Sequence, residues 1–329
     1  MRCKKSLRVL YAGTPAIAVP CLNTLSEMEL DGEGVVLSGL LTNPDRPRRH
    51  GQPEPSDVSA AAARLDADRK ERGLPPIVQL KSEKLDGRTR EEVAALSPDI
   101  LVSFAYGRIF GPRFLALFPL GGINIHPSLL PRYRGASPIP AVILAGEKKT
   151  GVCIQLLAAE MDAGDIIAEA SLELSARETT QSLSEVSAIA AAHLLRELLE
   201  WNFDSWAPAA RPQEGEAVYC REIKKEDGLI DWNKSAAKID AQIRAYTPWP
   251  LSFTHRGKDT LIILEAEPLE APPEMVPGTV LGVDKSRGLL IQTGDGILAV
   301  SRLQWRTKKA LDWKAFCNGE RDFIGVRLG

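Results

Sequence analysis

Residues 7–41 read LRVLYAGTPAIAVPCLNTLSEMELDGEGVVLSGLL, and their pattern decides the class of fold. Leu7 to Ala12 has the character of a buried strand and is cut by Gly13-Thr14-Pro15. Thr14 can cap a helix with Pro15 at its first position, where a missing N–H costs nothing. That helix would carry Ile17, Val19, Cys21, Leu22 and Leu25, and Val35 to Leu41 is a second apolar strand. Strand, helix and strand in this order make a βαβ unit, hence a parallel sheet. The turn, AGTPAIAVP, is not GxGxxG, so a nicotinamide or flavin cofactor has no support.

The alternation continues downstream. Asn43 to Ser56 (NPDRPRRHGQPEPS) is a Pro/Gly loop carrying Arg46, Arg48, Arg49 and His50. It is a solvated excursion on one reading and an arm that grips phosphate through arginine on the other. Helices are expected over 57–72 and 83–96, with a short strand at 77–79 between them. Asp99 to Ala105 is a continuous apolar run suited to a central parallel strand. Its end, Tyr106-Gly107-Arg108, falls at the carboxyl edge, where open α/β sheets bind ligands. A short helix at 113–118 leads to a strand that opens INIHPSLLPRYRG, Ile123 to Gly135. Beyond it, 138–144 reads as helix and 180–199 as a long helix. Between them lie strands at 151–157 and 166–174, joined by the turn Glu160-Met161-Asp162-Ala163-Gly164-Asp165.

Trp201 to Ala217 is rich in Pro and polar residues and reads as a linker. The expected division is 1–200, a linker at 201–217, and 218–329. In the last part a helix at 235–246 precedes five short strand candidates with Gly turns, at 251–254, 260–266, 278–283, 288–293 and 296–302. That spacing suggests a small OB-like β-barrel behind a Rossmann-like α/β domain.

Composition narrows the chemistry. The chain's 329 residues leave room for two domains, and its 44% apolar and 26% charged content is that of a soluble globular protein. Cys3, Cys21, Cys153, Cys220 and Cys317 are scattered without a CxxC, which speaks against a metal site or disulfide framework and for a reducing compartment. Neither a signal peptide nor a membrane-length apolar window is present, so a cytoplasmic location is expected. A net charge of -2 argues against a dedicated nucleic-acid binder, although from Val218 onward 17 Lys/Arg outnumber 15 Asp/Glu.

Asn124 and His126 stand two apart on one strand, so both leave the same face. A carboxamide donor beside a group that titrates near neutrality suits acyl-type transfer, where a carbonyl oxygen gains charge while a proton moves. The plainer alternative is a strand end with a buried, satisfied histidine.

Four segments carry a resemblance: LRVLYAGTPAIAVPCL, the loop headed by NPDRP, SFAYGRIF followed by INIHPSLLPRYRGASPI, and MDAGDII. Together with IRAYTPWPLSFT, they resemble the methionyl-tRNA formyltransferase family, within the 10-formyltetrahydrofolate-dependent formyltransferases. The resemblance implies Asn124, His126 and Asp162 as catalytic residues. Asn124 would donate to the oxyanion, a protonated His126 would stabilise the same charge and pass a proton to the leaving nitrogen, and Asp162 would hold the imidazolium and accept, through a water, the proton lost by the amine. A carboxylate beside His126 is expected to raise its pKa. The resemblance further implies that Ser128, Leu129, Leu130 and Pro131 seat the folate through their backbone. Gly107, Arg108 and Ile109 and the turn at 158–165 would enclose the pterin. It implies 10-formyltetrahydrofolate as co-substrate, no metal, and the methionine of initiator tRNA as acceptor, for translation initiation. Arg46, Arg48 and Arg49 of the loop, and Arg302, Arg306, Lys308 and Lys309 of the second domain, are the expected tRNA contacts. The loop departs from the family, since Gln52-Pro53-Glu54-Pro55 stands where a run of lysines is expected. A monomer is expected. An amino sugar nucleotide as acceptor, or an RNA-binding module without catalysis, are the alternatives.

Overall fold

Seven strands form the sheet that positions the candidate site. They are β1 (Leu7–Gly13), β2 (Val35–Thr42), β3 (Gln79–Lys81), β4 (Ile100–Phe104), β5 (Gly122–His126), β6 (Lys149–Leu156) and β7 (Ile166–Glu173). The computed structural model describes residues 6–47, 53–200, 209–320 and 322–329. The chain divides into two units, Met1–Pro138, Lys149–Glu173 and Ser184–Cys220 in one, Ile139–Lys148, Leu174–Leu183 and Arg221–Gly329 in the other.

In the first unit the strand order is β7-β6-β5-β4-β1-β2-β3. The pairs within β1 to β5 are parallel, and β6 runs antiparallel to both β5 and β7. The chain builds from β1 out to β3, then returns to the far side of β1 for β4. That reversal leaves a crevice beyond the carboxyl ends of the strands, as the Rossmann-like reading requires. The parallel pairs are joined through α1 (Val19–Leu30), α2 (Asp57–Glu71), α3 (Gly87–Ala95) and α4 (Pro112–Leu115). Val9 and Tyr11 pack in one core with Leu22 and Leu25, whereas Leu10 and Ala12 pack in another with Phe114. Two covered faces demand apolar side chains at successive positions, which explains the unbroken run. Truncating such a residue, Leu10→Ala for instance, costs about 2–5 kcal/mol.

Local chemistry sets the boundaries. The Ser56 hydroxyl accepts the Ser59 N–H at 3.1 Å to start α2, and Asp86 accepts the Thr89 N–H at 3.1 Å to start α3. Thr14 does not cap a helix as expected. Its hydroxyl accepts from the Asn43 side-chain amide at 3.0 Å, a 3-10 turn occupies Ala16–Ala18, and α1 begins only at Val19. β3 starts two residues late because Asp66 takes the Ile77 N–H at 2.7 Å, out of the ladder's reach.

After α5 (Pro138–Leu144), the long helix α6 (Thr180–Glu200) contributes Ala191, Leu195 and Leu198 to the first core. The second unit contains α7 (Ala236–Ala245) and an antiparallel sheet. Its strands are β8 (Ser252–Arg256), β9 (Asp259–Leu269), β10 (Val280–Asp284), β11 (Gly288–Gln292) and β12 (Ile297–Trp305), in the order β8-β9-β12-β11-β10. Register shifts after Ile263 and Glu265 bend β9, and the sheet surrounds Ile239, Leu261, Leu289 and Leu298. A sixth, two-residue strand, Leu311–Asp312, pairs antiparallel with β12, and the whole is the OB-like arrangement expected. One helix, α8 (Trp313–Gly319), has no counterpart in the sequence reading. Its start is fixed by Asp312, which accepts the Ala315 N–H at 2.9 Å, and it drives Phe316 against Trp305 and Phe323. So short a helix, with one buried apolar residue, leaves no readable period. No helix among the described residues is long and apolar enough to cross a membrane.

Candidate active site

Asn124 and His126 lie on β5, flanked by β4 and β6, with Asn124 opposite Ser103 on one side and Gln155 on the other. Ile123 and Ile125 fill the core, so the alternating residues take the other face. His126 is 4% exposed, and Asn124 is half-buried. The chain then turns, with the Ser128 hydroxyl donating to the Arg132 carbonyl at 2.6 Å. This turn returns the Tyr133 carbonyl to His126, whose Nε2 donates to it at 2.8 Å. Nε2 therefore keeps its proton in both ionisation states, and Nδ1 is the atom that can gain or lose one. Nδ1 stands 3.6 Å from Asp162 Oδ2.

Asp162 sits in the turn between β6 and β7 in the left-handed region, at φ +53. Three donors converge on its carboxylate: the Gly135 N–H at 2.8 Å on Oδ2, and Gln155 Nε2 at 3.1 Å and Asn124 Nδ2 at 3.3 Å on Oδ1. Gly135 reaches this position at φ +108, where an added Cβ would collide with the Cys220 carbonyl oxygen. The Asn124 contact is long, and its second N–H has no protein acceptor among the described residues, which leaves it for a substrate oxygen.

The electrostatics differ from the sequence expectation. Burial pushes the His126 pKa down, and the Asp162 charge and the Tyr133 hydrogen bond restore it only in part, so the net direction is below the ordinary value. Asp162 does raise it, but desolvation of so enclosed a ring is the larger effect. Near neutrality His126 is thus neutral, with a bare Nδ1 facing the carboxylate.

Gln155 is absent from the sequence reading. It is 1% exposed on β6 and holds Asp162 toward Asn124. A lone amide inside the apolar run GVCIQLL was the available signal.

The expected folate segments share the strand edge at which β4 and β5 end. Ser128 and Leu130 are 0% and 7% exposed and Pro131 is buried, whereas Leu129 is half-buried. Gly107 adopts φ +82, and Ile109 is 73% exposed. Arg108 Nε donates to Asn43 Oδ1 at 2.8 Å, and Asn43 Nδ2 donates to the Tyr106 carbonyl at 2.9 Å. Asn43 also bonds Thr14, so the loops after β1, β2 and β4 are laced together.

The expected tRNA contacts fare differently. Arg46 is exposed, whereas Arg48 and Arg49 lie outside the described residues. In the second unit Arg302 faces Glu265 at 3.2 Å. Arg306 and Lys308 line a groove of about 370 Å³ together with Arg256 and Lys258, which the sequence reading did not single out. Lys309 is exposed outside that lining. Among the described residues no group of three or more His, Cys, Asp or Glu could hold a metal ion.

A family model described as formyl transferase matches residues 5–199, and one described as formyl transferase, C-terminal domain, matches 222–321. The chain belongs to the formyl transferase family. It is an enzyme of one-carbon group transfer. The methionyl-tRNA formyltransferase of Treponema denticola is 50% identical over 328 residues, covering 97% of this chain and 98% of the relative. Among solved structures, an N-formyltransferase from Helicobacter canadensis in complex with folinic acid and dTDP-3-aminofucose has a TM-score of 0.60 at 18% identity. It covers 89% of this chain and 99% of its own. The methionyl-tRNA formyltransferase from Clostridium thermocellum has a TM-score of 0.50 at 19% identity, covering 79% and 93%. Both structures share the fold.

Proposed function

We propose that this enzyme transfers a formyl group from 10-formyltetrahydrofolate to the α-amino group of methionyl-initiator-tRNA. The observation that carries the chemistry is His126, held by Tyr133 so that Nδ1 alone exchanges protons, with Asp162 beside it. His126 Nδ1 takes the proton that the attacking amine loses. Asp162 stabilises the imidazolium so formed, and Nδ1 then delivers the proton to the departing nitrogen. The free N–H of Asn124 donates to the formyl oxygen as it gains charge, a contact worth ~100-fold or more in rate. The folate would be seated by the main chain of Ser128 to Pro131, and the loop of Gly107, Arg108 and Ile109 presents the exposed Ile109 side chain to a flat ring. When bound, 10-formyltetrahydrofolate supplies the activated formyl group.

The acceptor is supported by the half-identical relative, a methionyl-tRNA formyltransferase, matched along nearly its whole length. Residues 1–200 would carry folate and chemistry, 201–217 link, and 218–329 hold tRNA through Arg306, Lys308, Arg256 and Lys258. Arg302 and Lys309, and Arg46, Arg48 and Arg49 of the loop, would add phosphate contacts. The enzyme would act as a cytoplasmic monomer. The fold shared with an amino-sugar enzyme does not by itself favour that acceptor. Purified protein given 10-formyltetrahydrofolate and charged initiator tRNA should produce formyl-methionine. Formylation of a UDP-amino sugar alone would overturn the proposal.

A further inference from the structure

We propose that Gln213 is a positioning residue for formyl transfer, holding the Asp162 turn where proton exchange with His126 requires it. The inference rests on the catalytic reading above. By sequence, Gln213 belongs to a linker. In the structure, residues 211–220 are stitched to the site. Ile166 bridges Arg211, the Val218 N–H reaches the Pro131 carbonyl at 3.2 Å, and Tyr219–Cys220 pair with Arg134–Gly135.

The Gln213 side chain touches every part of the turn that matters. Its Nε2 donates to the carbonyls of Asp162 and Gly164, each at 2.8 Å, and to Gln155 Oε1 at 3.2 Å. Its Oε1 accepts from Arg134 Nε at 3.0 Å and Nη2 at 2.6 Å. The amide orientation follows from these partners: flipped, it would set an NH2 against a guanidinium and an oxygen against three acceptors. One side chain thus holds the backbone of Asp162 and also the amide of Gln155, which itself donates to the Asp162 carboxylate. Asp162 sits at φ +53, a conformation that needs support from its surroundings. Without Gln213, two turn carbonyls and the Arg134 fork lose their partner, and the carboxylate is free to recede from His126.

The test uses two variants of the full chain. Gln213→Met keeps the length and removes both polar ends; Gln213→Glu keeps the shape and the Arg134 pairing but presents only acceptors to the three oxygens. Both should lower kcat by about 10- to 100-fold, the scale of a small misplacement at a reacting centre. KM for folate and for charged tRNA should stay within about twofold. The His126 imidazole, titrated by NMR, reports the geometry without turnover. It is faced by the Asp162 carboxylate from the turn and the Tyr133 carbonyl from the loop, with uncharged Asn124 on its own strand. In Gln213→Met its pKa should fall below that of the parent enzyme as the carboxylate recedes. Full activity in Gln213→Glu would show a space-filling role and overturn the proposal. An unmoved His126 titration, or a loss confined to KM, would do the same. Should the parent enzyme formylate no tRNA, the acceptor reading fails, while the His126 titration still decides the part played by Gln213.

Discussion

Asp162 offers a substitution series in which charge and backbone separate. Its carboxylate receives three N–H donors, at 2.8, 3.1 and 3.3 Å, and its backbone lies at φ +53. Asparagine tolerates the left-handed region well, so Asp162→Asn leaves the backbone unstrained. Its amide, however, has one oxygen to offer on two sides. With that oxygen toward Gln155 and Asn124, its NH2 meets the Gly135 N–H, and one charge-assisted bond is lost, about 1.5–3 kcal/mol. At roughly 2–4 °C per kcal/mol for a unit of this size, the Tm should drop by about 3–12 °C. Asp162→Ala loses both acceptor oxygens, and with them all three hydrogen bonds, and adds about 1–2 kcal/mol of left-handed strain, which Asp162→Gly avoids. Stability should therefore fall in the order Asn, Gly, Ala. All three should lose about 100- to 10,000-fold in kcat, since none can stabilise the imidazolium. Thermal unfolding and single-turnover formylation measure the two effects. An Asp162→Asn enzyme within about tenfold of the parent kcat would refute the role of the charge. An alanine variant as stable as the asparagine one would refute the strain argument.

Other substitutions, and pH, have expected outcomes of their own. Asn124→Ala should reduce kcat by ~100-fold or more with KM for tRNA unchanged and an unaltered circular dichroism spectrum; surviving turnover would remove it from the oxyanion contact. Replacing Arg256, Lys258, Arg306 and Lys308 together by Ala should raise KM for tRNA, flatten its salt dependence and spare KM for folate. Replacing Arg46, Arg48 and Arg49 should act the same way, and an unchanged tRNA KM would exclude either set from the interface. The folded-state pKa of His126 lies below its ordinary value of 6.5, so the unfolded chain takes up its proton first as pH falls. His126 therefore stabilises the fold above pH 6.5, and that contribution is lost between 6.5 and its folded pKa; His126→Asn should flatten urea midpoints across that window. Formylation should decline as pH falls through the folded pKa and Nδ1 is protonated, whereas a rate that rises on acidification would make the imidazolium the active form.

The site was legible unevenly. Asn124 and His126 could be read because strand parity is a property of three consecutive residues, and Asp162 because its turn matches a family motif. Gln155 left only a faint trace, an amide in an apolar strand. Gln213 left none: in sequence it is one polar residue in a Pro-rich connection, and its partners lie elsewhere in the chain. Thr14 misled, since a threonine before a proline is a sound helix cap until Asn43 arrives from the next loop to claim its hydroxyl. Arg256 and Lys258 were likewise invisible as members of a basic groove, because they and Arg306 and Lys308 come from different strands and turns.

By itself, the sequence determined the βαβ architecture, the curled second sheet and the strand face on which the chemistry stands. These follow from hydrophobic period and turn chemistry, which act over a few residues. Tertiary structure alone decided the protonation of His126, the nitrogen that exchanges the proton and the supports of Asp162. The reason is physical. A pKa is a balance between desolvation and charge, and a hydrogen-bond role depends on which acceptor lies within reach. Both are set by atoms distant along the chain, 38 residues away for Asn124 and Asp162 and 79 for Arg134 and Gln213.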